Sequence, residues 1–120
     1  MLTCYSAILL LLHEFALHGT VSPDSVLKMI RLTPTMRLEK LIQEPQCSAA
    51  HAAIATLLSR YHSFLRTTDL PEQELIRLFS TTESTRKYAE EAYKFGDSVA
   101  DALAAIGNGK AQRFYRLLIV

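Results

Sequence analysis

The stretch Ser48–Leu65, SAAHAAIATLLSRYHSFL, decides the fold. Its Ala50, Ile54, Leu57, Leu58, Tyr61 and Leu65 recur at steps of three and four, the spacing that places side chains on one face of an α-helix. Ser48 stands where a capping residue belongs. The alanines at 49, 50, 52, 53 and 55 carry no long side chains, so a neighbouring helix can lie close against them.

Punctuation on either side divides the rest of the chain into further helices. Upstream, Thr3–His18 forms an apolar first helix ended by Gly19, a residue free to take positive φ. Ser22-Pro23-Asp24 and Thr33-Pro34 each combine a side-chain cap with a proline suited to the first helical turn. They open a second helix with Val26, Leu27, Met29 and Ile30 inward, and a third with Met36, Leu38, Leu41 and Ile42 inward; Pro45 limits the third.

Downstream, Asp69 with Glu72 and Ser80 with Glu83 have the spacing of capping boxes. The first precedes a short helix with Leu75, Ile76 and Phe79 as its apolar face. The second precedes a long helix whose Tyr88, Ala92, Phe95, Val99, Ala102 and Ile106 alternate steps of four and three, a heptad-like seam. Gly96 interrupts it, so the helix is expected to bend there or to restart at Asp97. Gly107-Asn108-Gly109 ends it, and Lys110–Val120 is read as a last helix despite its strand-forming residues. The expectation is an all-α fold, a compact orthogonal bundle of six to seven helices in a single domain over residues 1–120.

Composition narrows the function classes. Thirteen basic and twelve acidic residues leave a net charge of +1, so no global field draws in nucleic acid or an anionic membrane. The run Ala7–Leu12 is too short to span a bilayer and is interrupted by His13 and Glu14. It also lacks the basic n-region and small-x-small site of a signal peptide, which implies a buried first helix in a cytoplasmic protein. Cys4 and Cys47 have no metal-ligand spacing and read as two buried, reduced thiols.

Chemistry-bearing motifs are scarce. His13 and His18 lie five apart, which turns their imidazoles about 140° from each other on a helix, unlike the i, i+4 pair of a zinc-protease helix. His51 and His62 share a face but are separated by about 16 Å of helix. No nucleophile elbow, P-loop or dinucleotide fingerprint occurs, and Glu90 and Glu91 diverge because they are adjacent. No catalytic residue, metal site or cofactor is therefore expected.

The sequence reading of function is a non-catalytic protein–protein interaction or regulatory module that self-associates as a homodimer. Its interface candidates are Leu10 in the first helix and Phe95, Gly96, Val99, Ala100, Ala104 and Ile106 along the seam and the smooth strip beside it. Two other readings stand beside it. Phe15–Ile30 resembles a helix-turn-helix with Val26 and Ile30 inward, which implies a small DNA-binding regulator, although Thr20 intervenes between Gly19 and Val21 and spoils the register. Lys110, Arg113 and Arg116, interleaved with Phe114 and Tyr115, are candidate anion contacts, though basic residues in a last helix are ordinarily explained by the negative end of its dipole. The third reading is an enzyme whose site the sequence does not advertise.

Overall fold

A computed structural model describes residues 2–107 and builds them as six α-helices with one short 3₁₀ turn. The helices are α1 (Leu2–His18), α2 (Pro23–Ile30), α3 (Pro34–Gln43), α4 (Ser48–Thr68), α5 (Glu72–Phe79) and α6 (Thr82–Gly107), with the 3₁₀ turn at Pro45–Cys47. There is no strand among the described residues. The Lys110–Val120 tail, with Lys110, Arg113 and Arg116, lies outside them.

Local chemistry accounts for most of the boundaries. Gly19 ends α1 at φ +71°, its N–H donating to Phe15 O at 2.8 Å. Ser25 N–H donates to Ser22 Oγ at 3.1 Å and Met36 N–H to Thr33 Oγ1 at 3.3 Å, so both Ser-Pro and Thr-Pro starts operate as side-chain caps.

Three expected caps are corrected. Asp69 closes α4 instead of opening α5, its N–H bonding to Leu65 O, and α5 begins after Pro71 without a side-chain cap. Ser80 closes α5, donating to Arg77 O at 2.7 Å, while Thr81 caps α6 by accepting from Ser84 N–H. Cys47 occupies the cap position of α4 and Ser48 is already helical, because the 3₁₀ turn supplies the entry.

The core lies at one end of the molecule. Leu9, Leu38, Leu41, Ile54 and Leu57 are fully buried, joined by Leu10, Leu12, Val99, Ala102 and Ile106. They bring together α1, α3, the first half of α4 and the last half of α6. Beyond this core α4 and α6 continue side by side. Arg60 pairs with Glu91, whereas Ala49 and Ala53 share a groove with Ser98 and Ala105, so the two helices run antiparallel. The all-α helical bundle is as expected. The outcome is elongated, 49 × 26 × 24 Å, with a Cα radius of gyration of 16.1 Å against about 13 Å for a compact domain of this size.

From Ser59 to Asp97 no residue is buried. This segment, comprising the end of α4, all of α5 and the start of α6, projects as an arm. Several expected core residues are therefore exposed: Leu65 at 43%, Ile76 at 63% and Phe79 at 42% on the arm. Near the core, Leu27, Ile30 and Met36 are exposed as well. Each belongs to a genuine apolar face, but its helix has too few neighbours to cover that face.

Gly96 stands where the arm joins the core, two residues before buried Ser98. The helix passes through it without a break, correcting the expected restart at Asp97. A Cβ there meets nothing within 4 Å among the described residues, so this glycine serves no close approach by any of them. Gly96→Ala is accordingly expected to stabilise the protein by about 0.5–1 kcal/mol and to raise its melting temperature by roughly 2–5 °C, measured by circular dichroism. An unchanged or lowered value would mean that another contact requires glycine at this position.

Candidate functional site

Folding creates one polar cluster that no sequence spacing announces. His13 on the inner side of α1 and Cys47 at the entry to α4 are both 4% exposed, and His13 Nδ1 lies 2.9 Å from Cys47 Sγ. Glu44 organises the backbone beside them: its carbonyl accepts Cys47 N–H and the Nε2–H of half-buried His51, each at 2.9 Å.

Electrostatics make this a structural pair. Burial, reinforced by Glu44, pushes the Cys47 thiol up to about 11, so it stays protonated at neutral pH. Burial also lowers the His13 imidazole, with Lys40 and His18 acting in the same direction and Glu44 and Glu14 opposing. A neutral thiol and a neutral imidazole are best arranged with Sγ–H donating to Nδ1. A cysteine nucleophile needs thiolate character and access, and Cys47 has neither. No group of three or more His, Cys, Asp or Glu among the described residues is placed to hold a metal ion.

A second buried polar group, Arg37, is 8% exposed and faces the core side of α3 where Met36 was expected. Its Nε donates to Met29 O at 3.2 Å, and its Nη1 donates to Thr3 O at 3.1 Å and to Ser6 Oγ at 3.4 Å. It forms no ion pair among the described residues. Oxygen atoms from α1 and from the last turn of α2, the negative end of that helix, satisfy the guanidinium. Arg37 is a clamp holding three helices together.

The structure disperses the sequence-derived interface candidates. Leu10, Val99 and Ile106 belong to the chain's own core, and Phe95 is half-buried against it. Gly96 and Ala100 face solvent, while Ala104 is half-buried. For the helix-turn-helix reading, Val26 is half-buried but Ile30 is 61% exposed, so the inward pair it requires is not formed. Two shallow, open grooves follow the α4–α6 junction, one beside Ala52 and Asp101 and one beside Ser59 and Glu91; neither includes His13 or Cys47. No helix among the described residues is long and apolar enough to cross a membrane.

The arm is the surface that sequence reading missed. Phe64, Leu65, Leu70, Ile76, Phe79 and Tyr93 are each between 37% and 76% exposed. Its polar groups are partly organised: Glu91 accepts from Arg60 at 3.1 Å and from Lys94 at 3.0 Å, and Lys94 and Arg60 hold its carboxyl below the ordinary carboxylate range. The Arg60 Nε is buried without a hydrogen-bond partner.

The two cysteines differ, correcting the expectation of two buried thiols: Cys4 lies on the outer face of α1 and is exposed, and neither thiol is in a disulfide. One thiol per chain should therefore react rapidly with an aromatic disulfide reagent in the native protein, and two after denaturation. Cys4→Ser should remove the rapid phase. Rapid native reaction of both thiols would show that Cys47 is accessible.

Comparison with known proteins gives no matching family model, no matching curated protein and no matching solved structure.

Proposed function

We propose that the chain is a non-catalytic helical interaction module that associates with a second copy of itself. One observation carries this reading: three helical segments between Ser59 and Asp97 bury no residue, yet they expose two phenylalanines and several aliphatic side chains. Covering an exposed Ile or Phe contributes roughly 1.5–3 kcal/mol per side chain, so an uncovered arm forgoes much of the stabilisation available to it. Exposed apolar side chains concentrated in one region mark an interaction surface.

The chemistry of the arm favours a protein partner of balanced charge. From Ser59 to Asp97 there are six basic and seven acidic residues, which gives no positive field for phosphates or for an anionic lipid surface. Among the described residues the buried pair of Cys47 and His13 is enclosed and its thiol is held protonated, which supports a non-catalytic role.

Sedimentation velocity of the full chain at tens of micromolar tests the proposal. The expected species has twice the 13.5 kDa chain mass and dissociates on dilution. Ile76→Asp should retain the helical circular dichroism spectrum while weakening association at least tenfold, because its side chain is already 63% exposed within the chain. A wild-type protein that remains monomeric throughout this range contradicts the reading.

A further inference from the structure

We infer that the His13–Cys47 contact is an acid-sensitive latch: neutral His13 holds the turn between α3 and α4 against α1, and protonation of His13 releases that turn and exposes the Cys47 thiol. The latch is independent of the self-association reading, because both side chains lie in the core of one chain. Pro45 and Gln46 of the 3₁₀ turn are exposed, and Cys47 is the residue through which the turn enters the core. There its Sγ–H finds His13 Nδ1 as acceptor at 2.9 Å. A protonated imidazole carries a hydrogen on both ring nitrogens and has no lone pair to offer. The thiol then loses its acceptor, or turns so that sulfur, a weak acceptor, receives the N–H. In either arrangement a positive charge is enclosed in a side chain only 4% exposed.

The charged and titratable groups facing the ring do not relieve that charge. They are Glu14 and His18 on α1, Lys40 and Glu44 at the end of α3, and Cys47 on the turn. The Glu14 carboxylate is engaged toward α2, accepting from Ser25 Oγ at 3.2 Å and lying 3.9 Å from His18 Nε2. Glu44 and Glu14 favour the proton, Lys40 and His18 oppose it, and burial, the largest influence, leaves His13 below its ordinary 6.5. His51 touches the same turn but does not sense acid in this way. Its Nε2–H donates to Glu44 O, a bond that the neutral and the charged ring make equally. The released turn exposes His13 to water, where it binds its proton with ordinary affinity, so the open state takes up more protons than the closed one. The latch is therefore closed above neutral pH, and opening becomes easier as pH falls below 6.5, by at most about tenfold per pH unit for one proton.

Thiol exchange of Cys47 with a dipyridyl disulfide, in the full chain carrying Cys4→Ser, tests the latch. Dividing the rate in the chain unfolded by urea by the native rate at the same pH gives the protection of Cys47, free of the reagent's own pH dependence. From pH 7.5 to about 5.5, still above the ordinary carboxylate range, protection should fall a few-fold, and at most about tenfold, while the helical circular dichroism stays constant. His13→Gln keeps an acceptor and cannot titrate, so its protection should be flat over this range, whereas His51→Gln should keep the wild-type fall. Protection independent of pH in the parent chain, the same fall in His13→Gln, or its disappearance in His51→Gln overturns the inference, as does a loss of helix in step with the loss of protection. Should His13→Gln fail to fold, nuclear magnetic resonance titration of the His13 ring in the native chain decides: a midpoint below 6.5 supports the latch, and one at or above it overturns it.

Discussion

Everything else in the molecule depends on the packing of α1 against α3 and α6. Leu9 is fully enclosed and Leu2, Leu10 and Leu12 nearly so, making this helix the centre of the core. Fully burying leucines contributes about 1.5–3 kcal/mol each, which explains how a short apolar run can organise a small domain. The polar residues that accompany it are fixed by the same packing. Ser6 donates to Thr3 O and receives Arg37, while His13 engages Cys47, so α1 also carries the hydrogen bonds that tie it to α3 and to the start of α4. The arginine clamp couples this helix to α2. Removing Arg37 would cost its three hydrogen bonds across helices and leave a gap between α1 and α2, while Met29 O keeps Leu32 N–H and Thr3 O keeps Ser6 Oγ; the guanidinium itself is accommodated by carbonyls and a helix end without a carboxylate.

How far the sequence could be read follows from the range of each interaction. Caps act within three or four residues, and so Ser22-Pro23, Thr33-Pro34 and Gly19 could be recognised directly. At Ser80 and Thr81, two adjacent hydroxyls compete for neighbouring helix ends; their assignment depends on whether a side chain serves the preceding or following helix, and a spacing rule cannot decide that. Periodicity identified the apolar faces containing Ile30, Leu65 and Ile76. It could not tell which faces would be covered, because coverage depends on where other helices lie. The His13–Cys47 contact joins residues 34 positions apart and Arg37 reaches 34 positions to Thr3, so neither leaves a local signature.

The division between a dense core and a projecting arm gives the functional proposal its physical basis. The buried thiol–imidazole pair belongs to the core and is electrostatically quiet. The exposed aromatic and aliphatic side chains belong to the arm, whose charges nearly balance. Gly96 lies at their junction, in open space, where its lower helix propensity loosens the root of the arm without leaving a gap in the core. Stability should accordingly be unequal along the chain, because local opening is governed by how much apolar contact each segment makes.

Amide hydrogen exchange of the full chain, followed residue by residue across a dilution series, tests that division most directly. Amides of α1, α3, the first half of α4 and the last half of α6 should stay strongly protected even in the dilute monomer, because their contacts lie within one chain. Amides between Ser59 and Asp97 should be protected when association is complete and lose protection on dilution to monomer. Protection of the arm equal to that of the core in the dilute monomer would contradict the account, since it would require contacts within the chain that hold the arm as firmly as the buried leucines hold α1.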